Sequence, residues 1–255
     1  PIKGFKKQYL PLLLVYFAFG AQGIMSVTLT FWEKENLTSF TTNDFILIST
    51  WLTMPWTLKM IFGQLVDHVP LFGSRRKSYI YLGAGLMGVG YALLWGLMTE
   101  NPWLMDLGSE FQIYLVSSLV SVFGFVIQDV TADTMSTEVV DRMGKSETQI
   151  KSELAMVQVL GRISLMFAAV LAALGTGFLA ELWKDAPEKI IYVALLLPLI
   201  SILGGVFIRL DPNSPHTKKF DMLILGGGLG YAFFMLGMAF ISPIQNVFDT
   251  PVWNT

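Results

Sequence analysis

Apolar residues run along this chain in seven stretches of roughly 20, separated by short polar and charged clusters. The stretches fall at about residues 9–30, 45–66, 79–98, 112–136, 154–182, 188–209 and 221–246. A run of that length crosses a ~30 Å hydrocarbon core as a helix. The pattern therefore predicts seven membrane-spanning helices with short connections and no soluble domain. The 23 glycines lie mainly inside the spans, where small residues let helices approach closely.

Composition strengthens this reading. The chain is 53% apolar and 14% charged, against roughly 25% charge in soluble domains. Too little polar surface is left to coat a water-soluble globule. The expected class is an all-α integral membrane protein whose main partner is the lipid bilayer, with no nucleic-acid partner. The first apolar stretch is too long for a signal-peptide core and continues into others. The chain has no cysteine, which removes disulfides, thiol catalysis and thiolate metal sites.

Lysine and arginine give an orientation. Lys3, Lys6 and Lys7 precede the first span. Arg75, Arg76 and Lys77 lie in the second loop, Arg142, Lys145 and Lys151 in the fourth, and Arg209, Lys218 and Lys219 in the sixth. The alternate loops hold only Lys34, Lys184 and Lys189. The bias places the N-terminus in the cytoplasm.

The second loop reads GQLVDHVPLFGSRRK. Gly63 and Asp67, followed by Gly73, Arg75, Arg76 and Lys77, resemble the G-x-x-x-D-x-x-G-R-R-K pattern of the major facilitator superfamily. Three extra residues precede Gly73, and Ser74 separates it from the arginines. The longer stretch PWTLKMIFGQLVDHVPLFGSRRKSYIYLG resembles the folate–biopterin transporter group and the muropeptide permeases. IQDVTADTMSTEVV and QVLGRISLM in the fourth and fifth spans resemble the permeases too. The resemblance implies a twelve-helix bundle in two halves, of which this chain is a truncated part. Residues 1–211 would be the six-helix N-terminal half, and 212–255 a cytoplasmic connection and the first helix of the second half. A start at Pro1 rather than Met fits a portion of something longer.

Physics supplies its own account of the motif. An unpaired carboxylate at a helix end near lipid is costly, and Arg75 and Arg76 can fold back on Asp67 with charge-assisted hydrogen bonds. With Glu138 at the cytoplasmic end of the fourth span, the cluster can latch one helical bundle to another and release as they rock. The plainer alternative is that these cations only set topology.

Four ionisable residues fall within spans: Lys59, Asp129, Asp133 and Arg162. At 1.5 Å per residue, Lys59, Asp129 and Arg162 lie at a similar depth, roughly 12–16 Å from the cytoplasmic ends. Asp129 and Asp133 share a helix face at i and i+4. Each isolated charge costs roughly 2.5–3.5 kcal/mol in a membrane, so the set should pair or face water. Gln128 and Gln158 stand near it in sequence. Two readings stay open: a staple between spans, or a substrate or proton site. A mixed form pairs Asp129 with Arg162 and turns Lys59 to the cavity. The fold implied by the resemblance lines that cavity with spans 1, 4 and 7, hence Gln22 in the first span and Gln245 and Asn246 in the seventh.

Other motifs carry less. GAGLMG at 83–88 matches a dinucleotide fingerprint, but it lies in an apolar span with no preceding strand and reads as helix packing, as does GGGLG at 226–230. His68 and His216 make no metal pattern. No nucleophile–base arrangement points to an enzyme, and neither metal nor cofactor is expected. The function that emerges is secondary active transport of a small, anionic organic solute, proton-coupled, by alternating access. The alternative is a non-transporting scaffold or pigment-protein assembly factor with a membrane protein complex as partner.

Overall fold

The structure, a computed structural model, describes residues 5–37, 40–72, 74, 76–184, 186–210 and 221–248, without the side chains of 26, 27, 31, 34, 35, 236 and 238–248. The described chain is a helical bundle. Among the described residues, six stretches are long and apolar enough to cross a membrane: Lys7–Thr30, Thr42–His68, Lys77–Met98, Glu110–Glu138, Glu147–Leu182 and Pro187–Phe207. The seventh expected span is a 27-residue helix, Met222–Phe248. Two short connections depart from the expected loops, with a single helical turn at Pro102–Met105 and a 3-10 turn at Pro187–Lys189.

Three spans are broken rather than continuous. The first comprises α1 (Leu10–Gly20) and α2 (Gly23–Asn36), separated by a turn at Ala21 and Gln22. The second comprises α3 (Thr42–Thr57) and α4 (Lys59–His68), interrupted at Leu58. Pro55 lies three residues before that interruption; it donates no backbone hydrogen bond, and its ring crowds the carbonyl one turn back. After α5 (Lys77–Met98), α6 (Pro102–Met105), α7 (Glu110–Glu138) and α8 (Glu147–Leu182), the sixth span is α9 (Ile190–Ala194) and α10 (Leu196–Phe207). The last helix is α11 (Met222–Phe248). Capping boxes start three of these helices: Thr41 with Asp44, Ser109 with Gln112, and Ser146 with Gln149.

Glycine sets the closest packing. A Cβ on Gly83 would stand 2.8 Å from the Gly124 carbonyl oxygen, and one on Gly90 only 2.1 Å from Ser121 Oγ. Helices α5 and α7 therefore touch backbone to backbone. Gly20 meets the Leu165 backbone in the same way and locks α1 against α8. The glycine-rich sequences are only partly packing devices, since Gly85, Gly88, Gly226, Gly227 and Gly230 face open space. Of GGGLG, only Gly228 meets a neighbour, the Ile61 side chain of α4.

The described residues that flank the lysine- and arginine-rich N-terminus and three loops belong to one end of the bundle. There Glu153 of α8 accepts from Lys6 and Lys145, each at 2.8 Å, and Gln8 donates to the Val139 carbonyl. Lys77 reaches the Val206 carbonyl, and the Asp221 N–H donates to Gln64.

Candidate functional site

The break at Leu58 makes Lys59 the first residue of α4. Its ammonium reaches two carboxylates on α7, hydrogen-bonding Asp129 and lying 3.3 Å from Asp133 Oδ2. Asp129 is 3% exposed, and its second oxygen has no hydrogen-bond partner among the described residues. Lys59 is thus the counterion that holds a buried acid. Asp133 is more accessible. It accepts from the Tyr16 hydroxyl at 2.9 Å, and Arg162 Nη2 lies 3.9 Å away.

The pairing differs from the mixed expectation, because Asp129 pairs with Lys59 and the half-exposed Arg162 lies nearest Asp133. One cause is register. Asp129 and Asp133 are a turn apart on α7, and the start of α4 lies within reach of both. Lys59 and Asp133 also line a cavity of about 790 Å³ with Trp56, Gly63, Thr134 and Tyr231. Lys59 therefore does both things at once, pairing with an acid and facing open space.

The glutamines do not join this set. Gln128 is fully buried between α5 and α7 and donates to the Ile80 carbonyl. Gln158 donates to Ser136, which in turn bonds the Asp133 carbonyl. Gln22, in the break of the first span, lines a separate cavity of about 500 Å³. The side chains of Gln245 and Asn246 lie outside the described residues. Tyr16 was not legible as a participant, though a tyrosine deep in an apolar span carries a hydroxyl that needs a partner.

At the other site, Arg76 is the organising residue. It is buried, bonds Glu138 Oε1 through Nε and Nη2 at 3.1 and 2.7 Å, and reaches Asp67 Oδ1 at 2.8 Å and the Val66 carbonyl. Tyr79 adds a hydroxyl to the Val69 carbonyl, one of those left open at the end of α4. Gly73 and Arg75 lie outside the described residues, as does His216. Lys77 points instead to α10, and Gly63 belongs to the cavity wall. The described contacts of Arg76 tie the second, third and fourth spans of one bundle.

Near the opposite end, the Tyr114 hydroxyl of α7 donates to Glu33 of α2. Burial pushes the Glu33 carboxyl up, partly offset by that hydrogen bond.

The BT1 family model matches residues 20–230. The chain is 26% identical over 212 residues to the "Folate-biopterin transporter" of Synechocystis sp., covering 83% of this chain and 39% of that protein. It is 32% identical over 78 residues to "Folate transporter 1" of Plasmodium falciparum, covering 31% and 15%. It is 28% identical over 172 residues to "Probable folate-biopterin transporter 2" of Arabidopsis thaliana, covering 66% and 29%. The chain therefore spans well under half the length of these curated relatives.

Proposed function

We infer function from the premise that this chain belongs to the BT1 family. It is an integral, multi-pass membrane protein. We propose that it forms part of a secondary active transporter, rather than an enzyme or scaffold, for a small anionic organic solute. The names of its relatives point to a folate- or biopterin-type solute. The proposed architecture is the major facilitator one: residues 1–211 as the first six-helix half, and 212–255 leading into the second. The N-terminus and the Arg76 cluster would then be cytoplasmic, in line with the distribution of lysine and arginine. The two spans least buried inside the bundle are Thr42–His68 and Glu147–Leu182, which fits an arrangement in which a second half packs on them.

One observation carries the reading: Lys59 holds a buried aspartate and a more accessible one while lining a cavity. A solute carboxylate entering the cavity can replace Asp133 beside Lys59, while Asp129 stays as the fixed counterion. Asp133, released, can take a proton or turn to Arg162. Proton binding and solute binding are then linked through one ammonium group.

The test is folate uptake as a function of pH in cells expressing the full open reading frame. Asp133→Asn should retain folate binding but flatten the pH dependence of uptake. A variant whose uptake keeps the pH profile of the unaltered protein would refute the proton assignment.

A further inference from the structure

Arg162 is only loosely held within the charged set. Its side chain is 54% exposed, and its guanidinium reaches Asp133 at 3.9 Å, beyond hydrogen-bond range, with no hydrogen-bond partner among the described residues. It stands near the middle of α8, where a cation turned to lipid is costly. The helix face shows where it is turned instead. Gln158, Arg162, Leu165 and Ala169 recur at steps of four, three and four residues and so form one stripe. Gln158 bonds Ser136 of α7, and Leu165 and Ala169 line the cavity of about 500 Å³ that Gln22 also lines. The exposed apolar row of α8, Ile163, Met166, Val170 and Leu174, lies on a different face. Asp133 in turn lines the Lys59 cavity, and Trp56 is common to both cavities. Arg162 therefore has a wall residue of each cavity as its neighbour.

The Asp133 carboxylate shows what fits between the two cations. One of its oxygens lies 3.3 Å from Lys59 Nζ, and the other lies 3.9 Å from Arg162 Nη2. Neither pairing is close, and both cations sit on long stems that can swing toward open space. Charge points the same way. Lys59, Arg162, Asp129 and Asp133 together are neutral, so a carboxylate entering alone would leave a negative charge uncompensated, which is costly away from water. A carboxylate that enters with one proton on Asp133 leaves the set neutral.

We propose that Arg162 is a second anchor of the solute site: one solute carboxylate bridges Lys59 and Arg162, one oxygen to each, in the place that Asp133 now holds, while Asp133 takes one proton from water. The inference rests on the transport reading above and deepens it, because it gives the carboxylate two cations instead of one. A site that reads both oxygens of a carboxylate discriminates strongly against an amide or ester in the same position. Arg162 is then a specificity-determining residue.

The test is KM and kcat for folic acid uptake by the full-length protein, with Arg162→Gln, Arg162→Lys and Lys59→Met as variants and thermal stability in detergent followed in parallel. Arg162→Gln should raise KM by about tenfold or more, the worth of one charge-assisted hydrogen bond, with kcat little changed. Its thermal stability should stay close to that of the parent, because the guanidinium holds no hydrogen bond among the described residues. Arg162→Lys should recover part of the affinity, since it restores the charge without the planar fork. Unchanged KM in Arg162→Gln, with uptake lost in Lys59→Met, overturns the second anchor and leaves the transport reading standing. An Arg162→Gln protein that unfolds at markedly lower temperature, or fails to reach the membrane, makes the guanidinium structural and also overturns the anchor. No folic acid uptake by the unaltered protein removes the transport reading and the anchor with it.

Discussion

Replacing Arg76 with methionine should destabilise the bundle by about 3 kcal/mol, the lower end of the range for breaking a buried ion pair. The magnitude comes from what the guanidinium holds. Glu138 is 4% exposed at the end of α7 and takes two of the guanidinium's bonds. The Val66 carbonyl takes another, at the last turn of α4. Asp67 is a third exposed and contributes less, since water screens an accessible pair. Arg76→Lys should recover only part of the loss, because one ammonium cannot serve Glu138, Asp67 and Val66 from a planar fork. The double variant Arg76→Met with Glu138→Gln should be more stable than Arg76→Met alone, because the buried carboxylate is then neutral. Equilibrium unfolding in detergent, followed by helix content, gives all three values. An Arg76→Met protein within about 0.5 kcal/mol of the parent would show that the guanidinium does not stabilise this end of the bundle. So would a double variant no better than the single.

Asp67→Asn, by contrast, should cost no more than about 1 kcal/mol, because Arg76 keeps Glu138; folate uptake should nevertheless slow if this end of the bundle moves during transport. Gly90→Ala should destabilise by about 1–3 kcal/mol through overpacking against Ser121, whereas Gly88→Ala, which meets nothing within 4 Å, should be neutral or slightly stabilising in the same unfolding measurement. The raised Glu33 carboxyl binds its proton more tightly folded than unfolded. Its contribution is therefore fully present below the ordinary value of 4.5 and is lost as pH rises through the raised value. Thermal unfolding scanned upward from pH 4 should show that decline in the parent and a flatter profile in Glu33→Gln.

Hydrophobic periodicity made the spans legible because the bilayer imposes a fixed length on each. It could not show where a span breaks, since both halves of a broken helix are equally apolar. Gly20 and Gly23 flank the break that places Gln22, whereas Pro55 disturbs the turn before it and not Leu58, where the second span is interrupted. Helix α8 begins earlier than its apolar stretch, at the capping box of Ser146 and Gln149, a polar signal that hydropathy passes over. Charge made Lys59, Asp129, Asp133 and Arg162 legible as a set, since each is conspicuous in lipid. Their pairing was not, because it depends on which turn of α7 faces the start of α4. Gln128 shows the limit of sequence proximity: next to Asp129 in the chain, it projects into another interface. The role of Arg76 was half legible. Its attraction to Asp67 followed from charge, but its stronger hold on Glu138 needs the third and fourth spans to close on glycine.

Lys59 is proposed to serve at once as the counterion of Asp129 and as the anchor for the solute's carboxylate. Folate binding and thermal stability are to be measured together on full-length Lys59→Met, Asp129→Asn and the double variant. Lys59→Met should lose folate binding and up to about 3 kcal/mol of stability, because it leaves Asp129 buried without its ammonium. Adding Asp129→Asn should restore most of the stability and none of the binding. A double variant that binds folate like the parent, or a Lys59→Met protein that never lost it, would contradict the account.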